Sequence, residues 1–80
     1  MTKLDKLVNR ILTVPRDMRF DEVKKVLEKY GYKAEQPKGG SSHYTFRKDG
    51  CEPITIPKHN PVKWVYVRLV KEIVEGKKDE

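Results

Sequence analysis

Apolar residues recur at helical spacing towards both ends of this chain and alternate, every second residue, in its middle. That double change of period demands a fold in which helices pack on a sheet. Leu4, Leu7, Val8, Ile11 and Leu12 form one stripe, with Lys3, Lys6, Asn9 and Arg10 opposite. Thr2 and Asp5 have capping-box spacing, and Pro15 predicts the end of this first helix. A second stripe runs through Phe20, Val23, Val26, Leu27 and Tyr30. Asp21 and Glu22 suit its first turn, and Gly31 suits its stop. Asn60-Pro61 reads as a side-chain cap followed by proline in the first turn, predicting a third helix to about Glu75 with Gly76 beyond.

Between them, Tyr32 and Ala34 alternate with Lys33 and Glu35, Tyr44 and Phe46 with His43, Thr45 and Arg47, and Ile54 and Ile56 flank Thr55. These predict three short, half-buried strands in an antiparallel meander. Lys48-Asp49-Gly50 is a hairpin turn, because Asp-Gly tolerates positive φ. Pro37 to Ser42, rich in Gly and Ser, is expected to be the flexible loop between strands one and two. The expected fold is α+β, in the order α-α-β-β-β-α, with a three-stranded antiparallel sheet and helices on one face. The third stripe covers more than half of its helix: Val62, Val65, Tyr66, Val67, Leu69, Val70, Ile73 and Val74. Such a helix needs both the sheet and a second helix to cover it, and the N-terminal helix is the expected partner.

Eighty residues are expected to form one domain, 1–80, with 1–15 as an N-terminal extension helix and 77–80 as a frayed tail. The longest apolar runs, such as Trp64 to Val67, are too short to span a bilayer, and the start lacks the apolar core of a secretory signal. A single cysteine, Cys51, excludes an internal disulfide framework and a cysteine-built zinc site, so a reducing cytoplasm is the expected setting. Net charge is +6, and residues 31 to 64 carry six Lys/Arg against three acids while residues 65 to 80 balance four against four. A basic surface attracts polyanions, of which RNA is the common case, although lysines also merely keep small domains soluble.

Two histidines sit where chemistry is conceivable. His43 opens the second strand, and by alternation shares the outer face with Thr45 and Arg47. His59 lies in Ile56-Pro57-Lys58-His59-Asn60-Pro61, just before the third helix, whose free N–H groups favour phosphate. Lys38, Arg47 and Lys58 are expected to form a cationic rim around one imidazole, and Ser42, His59 and Lys63 complete the candidate RNA-binding set. RNA cleavage without metal needs a base for the ribose 2′-hydroxyl, an acid for the leaving 5′-oxygen and cations for the phosphorane. Histidine suits the proton work. The acids are scattered with no metal-ligand spacing, so no metal and no cofactor is expected. Cys51 follows the hairpin glycine without an activating pattern and reads as a bystander.

The ordered set Leu27-Glu28-Lys29-Tyr30-Gly31-Tyr32, Gly40-Ser41-Ser42-His43-Tyr44-Thr45-Phe46-Arg47, Asp49-Gly50 and Ile54-Thr55-Ile56-Pro57-Lys58-His59, followed by a helix from Pro61 through Tyr66 to Ile73, resembles HicA-family toxins over residues 19 to 75. The resemblance implies a double-stranded-RNA-binding-domain-like fold and ribosome-independent cleavage of mRNA. It also implies neutralisation by a HicB-type antitoxin and a catalytic role for His43, which corresponds to the histidine of the family's Gly-Ser-His motif, with Ser41 here where the family glycine often stands.

Three readings compete: a toxin ribonuclease that requires His43, a non-catalytic RNA-binding module that requires only the lysines, and an interaction protein that requires neither. Trp64 bears on the partner question. On a helical wheel it falls opposite the apolar arc, with Arg68 one turn along and able to stack on the indole as a cation–π pair. Two alternatives are open. Either the N-terminal segment folds over the ring or the ring tucks beside the sheet, or else it is exposed. In the exposed case an aromatic flanked by cations is an interface anchor, and Trp64 and Arg68 are the candidate antitoxin contacts.

Overall fold

A computed structural model describes residues 2–36, 39 and 42–76. The order is α1 (Lys3–Ile11), α2 (Phe20–Lys29), β1 (Lys33–Glu35), β2 (His43–Arg47), β3 (Ile54–Pro57) and α3 (Trp64–Val74), the α-α-β-β-β-α arrangement expected from the periods. The expectations for the tail 77–80 and for most of the loop at 37–41, Lys38 included, lie outside the described residues.

Local chemistry explains most boundaries. The Thr2 hydroxyl accepts the Asp5 N–H at 3.1 Å, and the Asp5 carboxylate accepts the Thr2 N–H at 3.2 Å, closing the expected capping box on α1. The helix ends earlier than Pro15 suggests. Val14, the residue before Pro15, leaves the right-handed helical region and turns the chain at φ 49°, a conformation that a β-branched residue rarely adopts. At α2 the Glu22 carboxylate accepts the Arg19 N–H at 2.9 Å, and Gly31 at φ 93° stops the helix. Gly50 adopts φ 80° in the hairpin turn, where the Cys51 N–H donates to the Lys48 carbonyl at 3.1 Å.

The sheet is antiparallel in the order β1-β2-β3, with Ala34 opposite Phe46, Phe46 opposite Ile54 and His43 opposite Pro57. Its inner face carries Phe46, Ile54 and Ile56, all buried. Helix α2 lies on that face: the Phe20 ring centroid is 5.1 Å from Tyr44 and 6.1 Å from Phe46. Helix α3 adds Val67, Val70 and Ile73 to the same core and packs on α1, as expected, and also on α2. Ile11 of α1 is fully buried between them, and Arg10 reaches Asp17 at 2.5 Å and Glu22 at 3.4 Å.

The start of α3 differs from the expectation. Asn60-Pro61 does not begin it; the helix opens at Trp64 with Lys63 at the cap, three residues after Pro61. The Asn60 side chain caps a different helix, accepting the Phe20 N–H of α2 at 2.8 Å. The Val62 N–H then donates to the Met18 carbonyl at 2.8 Å, so residues 60–62 lie as a strap along the entry to α2. A backbone pinned in that way cannot also close the first turn of α3.

Candidate nucleic-acid interface

Five of the residues singled out from sequence meet at one end of the sheet. Ser42, His43, Lys58, His59 and Lys63, together with Pro57 and Tyr66, line an open hollow of about 340 Å³. The β2–β3 ladder builds it. His43 stands opposite Pro57, which has no N–H to give, and the ladder continues one residue further through a bond from the Lys58 N–H to the Ser42 carbonyl at 2.6 Å. His43, Lys58, His59 and Lys63 are all exposed, so the hollow opens to solvent rather than to the core.

Two imidazoles and two ammonium groups therefore border one concave surface. The Lys58 ammonium sits 6.0 Å from the Tyr44 ring centroid, a cation–π distance that holds its stem along the sheet. His59 Nδ1 lies 3.1 Å from the Pro61 carbonyl oxygen. A carbonyl only accepts, so Nδ1 carries the proton in that contact and Nε2 is the ring's second nitrogen. Lys63 caps α3, whose first turn has no acidic residue, so the positive end of the helix also faces this corner.

Arg47 is not part of that group. It shares the outer face of β2 with His43, but stands at the opposite end of the strand, where it faces Lys33 across the ladder and pairs with Glu35 at 2.7 Å. The expected rim of Lys38, Arg47 and Lys58 around one imidazole thus loses Arg47 to a separate hollow lined by Gly31, Lys33, Glu35 and Lys48. The reason is length: four residues along a strand carry a side chain about 13 Å away. Lys38 lies outside the described residues.

Trp64 is exposed, at 43%, next to Val65 at 42%. The expected stack of Arg68 on its indole does not form: the cation–π contacts among the described residues are Lys48 over Tyr32 and Lys58 over Tyr44. Trp64 is the first residue of α3, and helical side chains lean towards the N-terminus. The indole therefore leans away from Arg68, over a mostly apolar hollow of about 310 Å³ shared with Arg16, His59, Pro61 and Val65.

Sequence reading missed Tyr66 and Arg16. Tyr66 falls in the apolar arc of α3 by its spacing, and its hydroxyl-bearing ring is the available hint that the arc ends at a wet surface. Arg16 sits in the α1–α2 connection, and only the tertiary fold brings it to Trp64. Among the described residues no three or more His, Cys, Asp or Glu side chains converge as a metal site, and no helix is long and apolar enough to cross a membrane.

A family model described as the HicA toxin of bacterial toxin-antitoxin matches residues 20–76. No curated protein and no solved structure gives a significant match. The matched span takes in α2, the whole sheet and α3, and with them every wall of the two-histidine hollow; α1 precedes it. The chain belongs to the HicA toxin family of bacterial toxin–antitoxin systems.

Proposed function

We propose that this toxin is a metal-independent endoribonuclease that cleaves mRNA in the cytoplasm, with His43 moving a proton in the reaction, and that a HicB-type antitoxin neutralises it. Family membership supplies the toxin role and the antitoxin partner. The observation that carries the nuclease reading is the hollow at the end of the sheet, where the His43 imidazole shares one exposed concavity with Lys58, His59 and Lys63.

The chemistry follows from those groups. The ribose 2′-hydroxyl of RNA attacks the adjacent phosphorus once a base takes its proton, and the 5′-oxygen leaves once an acid supplies one. Negative charge builds on the non-bridging oxygens in between. Lys58, Lys63 and the first turn of α3 offer donors and positive charge on that side. The wider basic surface gives affinity without sequence preference, because phosphate contacts position the strand and do not read bases. Ser42, Arg47, Lys38 and His59 belong to this RNA-binding set, with Arg47 serving a strand that runs on along the outer face of the sheet.

The test is induced expression of the wild type and of His43→Ala, following growth and the integrity of total RNA, beside purified proteins incubated with a defined mRNA in chelator. Growth arrest and metal-independent cleavage by the wild type, both lost in a folded His43→Ala, are expected. RNA that is bound but never cut by the wild type would convert the reading into a non-catalytic RNA-binding module.

A further inference from the structure

We infer that His59 is a second catalytic residue, the general base that takes the 2′-hydroxyl proton, with His43 as the acid that protonates the leaving 5′-oxygen. The inference rests on the nuclease reading above and deepens it.

Three observations carry it. The first is register. His43 stands opposite Pro57, and the next pair outward, Ser42 with Lys58, is bonded at 2.6 Å. His59 follows directly, just past the end of β3, and lines the same hollow as His43. Two imidazoles bordering one hollow can flank one phosphodiester, with its 2′-oxygen and 5′-oxygen on opposite sides of phosphorus.

The second is the tautomer. The Pro61 carbonyl holds the proton on Nδ1 of His59 at 3.1 Å. The neutral ring then has its lone pair on Nε2, the nitrogen a base needs, and the same contact steadies the imidazolium once the proton has arrived. A backbone carbonyl here does the orienting that a carboxylate does in other histidine sites.

The third is bracing. His59 is exposed, and exposed connecting segments are ordinarily loose. Its neighbours are tied on each side: Lys58 to Ser42 at 2.6 Å, Asn60 to Phe20 at 2.8 Å and Val62 to Met18 at 2.8 Å. That scaffold holds the backbone on both sides of the ring.

The step balances with these groups alone. Nε2 of neutral His59 takes the 2′-hydroxyl proton as the 2′-oxygen bonds to phosphorus. The bond from phosphorus to the 5′-oxygen breaks, and protonated His43 gives its proton to that oxygen. The products are a 2′,3′-cyclic phosphate and a free 5′-hydroxyl, with His59 charged and His43 neutral until solvent resets them.

The experiment uses the full chain and two substrates, one ordinary RNA and one with sulfur in place of the 5′-bridging oxygen, a leaving group that needs no acid. His59→Asn keeps a short side-chain amide able to donate to the Pro61 carbonyl while removing Nε2. We expect its single-turnover cleavage to fall by about a hundredfold or more on both substrates, as for loss of a general base. The fall in rate at acidic pH should disappear, and affinity for an uncleavable 2′-deoxy substrate should fall far less than the rate. His43→Ala should be slow on ordinary RNA and substantially restored on the sulfur substrate. Retention of rate and of the acidic limb in His59→Asn overturns the inference, as does a loss confined to affinity; in either case His43 dependence leaves the nuclease reading standing. A wild type that does not cleave removes that reading, and this inference with it.

Discussion

The side-chain oxygen of Asn60 accepts the backbone N–H of Phe20 at 2.8 Å, across a sequence separation of 40 residues. One bond thereby ties the strap that carries Lys58 and His59 to the first residue of α2, whose Phe20 ring packs on the sheet. Asn60→Ala leaves a part-buried donor without its acceptor, and the expected cost is about 1–2 kcal/mol of stability. Urea unfolding followed by circular dichroism measures it. Cleavage should fall more than stability explains, because the same bond positions the hollow. A mutant as stable and as active as the wild type would show that the strap is held by other means.

His43→Ala should abolish cleavage and leave the fold intact. The residue is exposed at the open end of β2, so its truncation should change stability by only about ±0.5 kcal/mol. Near-ultraviolet dichroism and the urea midpoint check the fold, and RNA gels check the activity. A folded mutant that still cuts at the wild-type rate would remove His43 from the reaction.

Gly31 ends α2 at φ 93°, and a methyl group there would meet the Lys48 side chain at 3.4 Å. Lys48 is long and can yield, so the cost of Gly31→Ala is mainly that of the left-handed backbone, about 1–2 kcal/mol. The thermal midpoint should fall, with RNA cleavage at low temperature unchanged, since this turn lies at the opposite end of the sheet from His43. An unaltered midpoint would mean that the turn relaxes to negative φ without penalty.

The contrast between Gly31 and Asn60 says what the sequence reveals and why. Gly31, Gly50, Gly76 and the Thr2–Asp5 box act on backbone within a few residues, so their meaning is local and readable. The three strands were likewise legible, because alternation needs only the strand itself. Asn60-Pro61 carries the same local signal as a helix start, and yet its oxygen is spent on Phe20. Only the tertiary fold decides between those partners. The place of Arg47 in the rim around His43 was misjudged for a related reason: alternation gives its face but not its distance from His43, nor the Glu35 that pairs with it at 2.7 Å. His43 and His59 were each visible as candidates, while their meeting in one hollow depended on the β2–β3 register.

RNA affinity should depend steeply on salt, and the structure divides the cations unequally. Lys58→Ala and Lys63→Ala, both in the two-histidine hollow, should each lower the slope of log affinity against log salt by about one unit or less. Arg47→Ala should lower it less, because Glu35 already partners that guanidinium at 2.7 Å. Filter binding of an uncleavable RNA over a range of potassium concentrations gives the slopes. Equal losses at all three positions would show that the Glu35 pairing does not reduce the part Arg47 plays in holding RNA.

Trp64 is where the antitoxin should bear on this surface. The indole is 43% exposed beside Val65, at the mouth of a mostly apolar hollow that His59 also lines. His59 borders the catalytic hollow too, so a partner seated on Trp64 would cover the approach to the histidines without touching the helical core. Arg16 and Lys63 beside the hollow add positive charge at its rim, matching an acidic or polar-rimmed partner segment with one apolar anchor. Trp64→Ala should weaken antitoxin binding by about 2 kcal/mol or more, the loss typical of a central aromatic anchor. Arg68→Ala should cost less, because Arg68 does not stack on the ring. The free toxin should show a red-shifted, readily quenched tryptophan emission that moves to the blue as antitoxin is added. Titration calorimetry supplies the affinities, and RNA cleavage by Trp64→Ala at the wild-type rate shows that the change is confined to the partner. Emission that antitoxin leaves unmoved, with affinity unchanged in the mutant, would place the antitoxin elsewhere on the molecule.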